Sequence, residues 1–90
     1  MKTIWKWTLS RTERHQSVRL PRNSSILDVQ LQDGLPVLWA TVDTDAPTEE
    51  RLFLLAQTGE EISGYPAYIG TFQIGQLVYH LFEEFEELPF

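Results

Sequence analysis

Residues 26 to 42 read ILDVQLQDGLPVLWATV, and the repeat within them has a period of two. Leu27, Val29 and Leu31 fall on one face of an extended chain and Asp28, Gln30 and Gln32 on the other, which is the pattern of a half-buried strand. Asp33-Gly34 follows, a two-residue hairpin signal because both residues tolerate positive φ. The return run, Val37 to Val42, is apolar on both faces. That predicts a central strand covered on both sides, with Pro36 at its entry where a missing N–H is tolerated.

The same alternation recurs along the chain. Thr3 to Leu9 sets Trp5, Trp7 and Leu9 against Ile4, Lys6 and Thr8, and Gln16 to Leu20 sets Val18 and Leu20 against Ser17 and Arg19. Pro21-Arg22-Asn23-Ser24-Ser25 then breaks the chain into a turn. Arg51 to Gln57 reads as an apolar strand whose low β-branching leaves a short helix open, and Tyr68 to Ile74 and Gln76 to Phe82 form a last pair around Gly75. Asp43 to Glu50, DTDAPTEE, is read as the longest polar connection and a mobile loop. These runs predict an all-β fold, a small antiparallel β-sandwich or partly open barrel of six to seven strands. Ninety residues suffice for one modest core, so a single β domain over residues 1–90 is expected, with an acidic tail from about residue 84 to 90.

Charge is distributed unevenly over this pattern. Residues 1 to 27 carry six basic residues, Lys2, Lys6, Arg11, Arg14, Arg19 and Arg22, against Glu13, a net +5; residues 28 to 90 carry Arg51 against twelve acids, a net −11. The overall charge of −6 works against non-specific duplex binding, which depends on neutralising phosphates. No apolar run reaches the length of a membrane span, and charge interrupts the first residues before a signal-peptide core could form. With no cysteine, disulfide stapling and thiolate metal sites are excluded, so a soluble cytoplasmic protein is expected.

Catalytic constellations are hard to assemble. His15 and His80 lack the close helical partners of a metal site, and His80, between Tyr79 and Leu81, reads as a strand residue with its ring nitrogens satisfied locally. No serine sits in a GxSxG elbow, and the five glycines are scattered singly rather than grouped in a phosphate loop. The carboxylate pairs at Asp43 and Asp45, Glu49 and Glu50, and Glu60 and Glu61 read as solvated surface charge. We expect no enzyme activity, no metal and no cofactor. The unusual group is the opening segment: Trp5 and Trp7 offer stacking surface, and Lys6, Arg11, Arg14 and Arg19 offer charge-assisted donors, the ingredients of a phosphate or nucleotide site. Against this stands a structural reading in which the tryptophans are core and the basic residues meet the acidic last strand across a first-to-last strand pairing.

The stretches MKTIWK, LPVLWATVDTDAPTEERLFLLAQTG, YIGTFQ and LVYHLFE resemble a family of short uncharacterised accessory proteins of tailed bacteriophages. The resemblance runs from Met1 to about Glu83, and the extension from Glu84 to Phe90 departs from it. It implies a small phage protein acting in the cytoplasm of the infected bacterial host, and it implies no catalytic residue. In that setting the expected function is non-enzymatic counter-defence: sequestration of a nucleotide-derived immune signal by Trp5, Lys6, Trp7, Arg11, Arg14 and Arg19, in a pocket between protomers of a homo-oligomer. The alternatives are an inhibitor or adaptor that docks on a host or phage protein through a sheet edge or acidic surface, and a minor virion component.

Overall fold

In the computed structural model, which describes residues 1–85, every alternating run is extended: β1 (Lys2–Thr8), β2 (His15–Pro21), β3 (Ser25–Gln32), β4 (Leu35–Asp43), β5 (Thr48–Gln57), β6 (Ala67–Ile74) and β7 (Leu77–Glu84). All pairings are antiparallel, in a three-stranded sheet ordered β1-β4-β3 and a four-stranded sheet ordered β2-β5-β7-β6. The fold is an open, sandwich-like all-β arrangement. Arg51 to Gln57 lies wholly within β5 and makes no helix, because a strand between β2 and β7 buries Phe53 and Leu55 on one face and Leu54 and Ala56 on the other. Burial of that kind outweighs the modest strand preference of leucine and alanine.

Two tight hairpins set the register. Asp33 (φ 52°) and Gly34 (φ 78°) join β3 to β4 as a primed turn, and Gly75 (φ 59°) takes the first central position of the β6–β7 turn. The inner faces of the two sheets meet in a core of Leu9, Leu20, Val29, Leu38, Ala40, Val42, Phe53, Leu55, Phe72, Tyr79 and Leu81. Each fully buried leucine or phenylalanine contributes about 1.5–3 kcal/mol relative to exposure. Phe72 and Tyr79, cross-strand partners, stack at 5.5 Å.

The edges β3 and β6 approach one another and close one side of the sandwich. Gly70 makes this approach feasible: a Cβ there would lie 2.8 Å from Val29 Cγ1 and 3.2 Å from Asp28 Oδ1. Both strands are irregular beside the seam, with register shifts between Ile26 and Asp28 and between Tyr68 and Gly70. On the other side no ladder joins β1 to β2.

Several expectations are corrected by this arrangement. The bulge in β3 turns Ile26 inward with Val29 and leaves Leu27 51% exposed, so Leu27 does not share the Val29 face. β4 is central as expected, but only its inner face is packed against another sheet; Trp39 is half-buried and Thr41 exposed on the outer side. The DTDAPTEE stretch is a short, bonded crossing between the sheets rather than a mobile loop: Ala46 N–H donates to the Asp43 carbonyl (3.1 Å) and Asp45 N–H to Asp43 Oδ1 (3.0 Å), and Thr48 already begins β5. The longest connection is 58–66, between β5 and β6. The first and last strands do not pair, since β1 lies beside β4 and β7 between β5 and β6. Glu84 belongs to β7 rather than to a tail; of the rest of the expected tail, Phe85 is exposed and residues 86–90 lie outside the described residues.

Candidate functional site

β1 is an outer strand of its sheet, on the side of β4 away from β3, and the bonds at its two ends show which way its backbone faces. Leu9 N–H donates to the Pro36 carbonyl (2.8 Å) and Thr44 N–H to the Met1 carbonyl (2.9 Å), both in the register that pairs Thr3 with Val42, Trp5 with Ala40 and Trp7 with Leu38. Bonded and non-bonded pairs alternate along an antiparallel ladder. The odd-numbered residues therefore bond to β4, and the N–H and C=O groups of Lys2, Ile4, Lys6 and Thr8 point away from the sheet.

Side chains alternate in the same phase. On the outer face Ile4 is 57% exposed, and Lys6 is held in place by donating from Nζ to Gln32 Oε1 (2.6 Å) while lying 5.5 Å from the Trp39 ring centroid. On the inner face Trp5 and Trp7 meet edge to face at 6.3 Å; Trp7 packs against the core, and Trp5, beyond it, is 42% exposed. Among the described residues no carboxylate lies within 4 Å of the Lys2 or Lys6 ammonium.

The six residues singled out from the sequence are thus divided over separate surfaces. Trp5 and Trp7 come together, and so do Arg11 and Arg14, which line a cleft of about 100 Å³ with Glu60 and Tyr79. Arg14 is already engaged there, paired with Glu60 Oε2 at 2.9 Å and donating to the Glu61 carbonyl. Lys6 projects from the face of β1 opposite to the tryptophans. Arg19 stands on the outer face of the other sheet, across from Glu50, and donates to Thr48 Oγ1 (3.3 Å). No surface of one protomer gathers all six.

The interior holds a charged pair that sequence reasoning missed. Arg51 and Glu83 lie on the inner face, where Arg51 continues the Phe53–Leu55 alternation of β5 and Glu83 the Tyr79–Leu81 alternation of β7. The guanidinium grips the carboxylate with two bonds, Nε to Oε2 (2.6 Å) and Nη2 to Oε1 (2.7 Å), and Nη1 donates to the Ser24 carbonyl. Hydrogen bonding to Glu83 pushes the Arg51 pKa up, against the opposing pull of burial. Shallow grooves flank the pair, one of about 490 Å³ toward Glu49, Glu50 and Phe85 and one of about 290 Å³ toward Ser25, Ile26 and Tyr68. The bidentate pair lines both, its donors engaged by Glu83 and by the Ser24 carbonyl.

His80 is half-buried, and both its ring nitrogens are bonded locally, Nδ1 with Thr71 Oγ1 (2.9 Å) and Nε2 with Thr58 Oγ1 (2.7 Å). Of the carboxylates, Asp43 is held below its usual range, chiefly by the Asp45 N–H that it accepts. Among the described residues no group of three or more His, Asp and Glu side chains could hold a metal ion.

The fold and this edge define a two-layer antiparallel β domain whose outer strand β1 carries exposed aromatic and aliphatic side chains. The chain belongs to the family described as "Domain of unknown function (DUF7352)", which it matches over residues 1–89. The match continues past Glu83 to Pro89, so Glu84 to Pro89 fall within this family's pattern. No curated protein and no solved structure matches the chain.

Proposed function

We propose that this protein is a non-enzymatic binding module that docks onto another protein by accepting an extended segment along β1. The observation that carries the reading is the edge itself: four residues whose backbone donors and acceptors face outward, flanked by exposed Ile4 and Trp5. A strand laid against such an edge gains main-chain hydrogen bonds of about 0.5–1.5 kcal/mol each and covers apolar surface, while side-chain pockets add selectivity. An edge with exposed aromatic and aliphatic side chains is otherwise an association hazard, which the two lysines of β1 restrain without removing. The setting we propose, an accessory protein of a tailed phage in the infected bacterial cytoplasm, is supported by the resemblance of the MKTIWK, VDTDAP and YIGTFQ stretches.

Ile4→Pro tests the reading, because it deletes an N–H that points to solvent and leaves the β1–β4 ladder intact. Bait protein recovered from infected bacteria is expected to retain a stoichiometric protein partner, and Ile4→Pro bait of near wild-type stability is expected to lose it. Retention of the same partner by the variant would refute docking at this edge. A second reading, sequestration of a nucleotide-derived signal, is favoured by the exposed ring of Trp5 beside Trp7. It requires a second protomer to complete the site, and calorimetry with cyclic dinucleotides decides it.

A further inference from the structure

The charge and spacing on β1 assign a chemical class to its occupant, an inference that rests on the edge-docking reading. Lys2 and Lys6 stand four residues apart on the outer face, with Ile4 between them, and Trp5 lies on the inner face at the same level of the strand. Lys2 has Asp43 as its partner on β4, whereas Lys6 has Trp39, and neither ammonium has a carboxylate within 4 Å among the described residues. An added strand places its own side chains directly opposite these positions, where opposite charges are favoured and like charges disfavoured.

We infer that β1 accepts an antiparallel, extended acidic segment with carboxylates four residues apart facing Lys2 and Lys6, a β-branched residue facing Ile4 and an apolar residue facing Trp5. The lysine spacing allows this because side chains two and four residues apart share a face of a strand. In the free chain Lys6 leans across β4, over Trp39 to Gln32 of β3, so it must exchange that neutral hydrogen bond for a charged one as its ammonium swings back to the open edge.

A second copy of this chain fits the edge poorly. Two-fold antiparallel pairing of β1 with itself has three central registers in which the outward-facing residues meet. One sets Lys2 opposite Lys6 of the copy, and one sets Lys6 opposite itself. The third, with Ile4 opposite Lys6, leaves Lys6 diagonal to both lysines of the copy. Every register concentrates four ammonium groups on one face, where like charges are disfavoured.

The test uses the full chain and two peptides, Thr-Val-Glu-Val-Ile-Val-Glu and the same sequence with lysine at both glutamates. The acidic peptide is expected to slow amide exchange at Ile4, Lys6 and Thr8 and to bind about tenfold tighter than its lysine counterpart, a preference that weakens as salt is raised. The double variant Lys2→Glu, Lys6→Glu is expected to invert the preference. Equal protection of β1 by both peptides would overturn the acidic assignment while leaving edge docking in place. Protection by neither would overturn the edge reading itself. A dimer in native mass spectrometry, with Ile4 and Lys6 already protected in the absence of peptide, would replace the acidic segment with a second copy.

Discussion

Removing the Glu83 carboxylate should cost this protein a large share of its stability. Glu83 is 7% exposed and the Arg51 side chain 19%, and two charge-assisted bonds of 2.6 and 2.7 Å join them. In Glu83→Ala the part-buried guanidinium keeps only the Ser24 carbonyl as a partner, and losing two charge-assisted bonds while the open grooves beside it admit water costs about 2–3 kcal/mol. A chain of 90 residues has a total stability on the order of 5–13 kcal/mol, so the variant should lose between about a sixth and a half of it. Urea unfolding followed by tryptophan fluorescence would then show the midpoint falling by roughly 2 M at an unchanged slope. The double variant Arg51→Met, Glu83→Leu should recover most of the loss, because apolar side chains of similar size replace a buried pair at little cost. Because hydrogen bonding raises the Arg51 pKa, its contribution is fully present below the ordinary arginine value and is lost only as pH rises through the raised one. The deficit of the Arg51→Met single variant should therefore be the same at neutral pH and at pH about 9. A loss under about 1 kcal/mol in Glu83→Ala, or a double variant no better than the single, would show a screened surface pair and refute the interior placement.

Gly70→Ala should destabilise by about 1–3 kcal/mol in the same urea assay, because its Cβ would sit 2.8 Å from Val29 Cγ1 and push β6 from β3; a neutral effect would mean the seam can open freely. For Asp43 the sign is opposite to that of Arg51. Its carboxyl is held below the usual range, so its contribution is present above that range and lost as pH falls through the lowered value. The stability difference between wild type and Asp43→Asn should accordingly be level near neutrality and close under acid, as a pH series of urea midpoints would show; a gap that widens in acid contradicts it.

Much of the secondary structure could be read locally. Alternation in Thr3–Leu9 and Gln16–Leu20, the Asp33-Gly34 turn and the apolar run Val37–Val42 each report on their own neighbours, and each is a strand or turn at nearly the expected place. The β3 bulge escaped that logic, because Leu27 fits strict alternation and is displaced only where β3 meets β6. The interior Arg51–Glu83 pair could have been found by extending the phase of the flanking apolar residues through a charged one. The surface is the usual place of a charge but not its only one when a partner with matching geometry is available.

The candidate site divides in the same way. That β1 would be a strand, with its tryptophans and lysines on opposite faces, follows from the order of residues 2 to 8, because a strand's faces are set by covalent geometry. That it would be an edge, with even-numbered backbone groups open to solvent, depended on β4 taking its other side. The scattering of Lys6, Arg11, Arg14 and Arg19 over different surfaces likewise came from which sheet each strand joined. Side-chain alternation is a local property of an extended chain, written in its sequence. Strand order is chosen by burial between residues far apart in the chain, and only the assembled sandwich decides it.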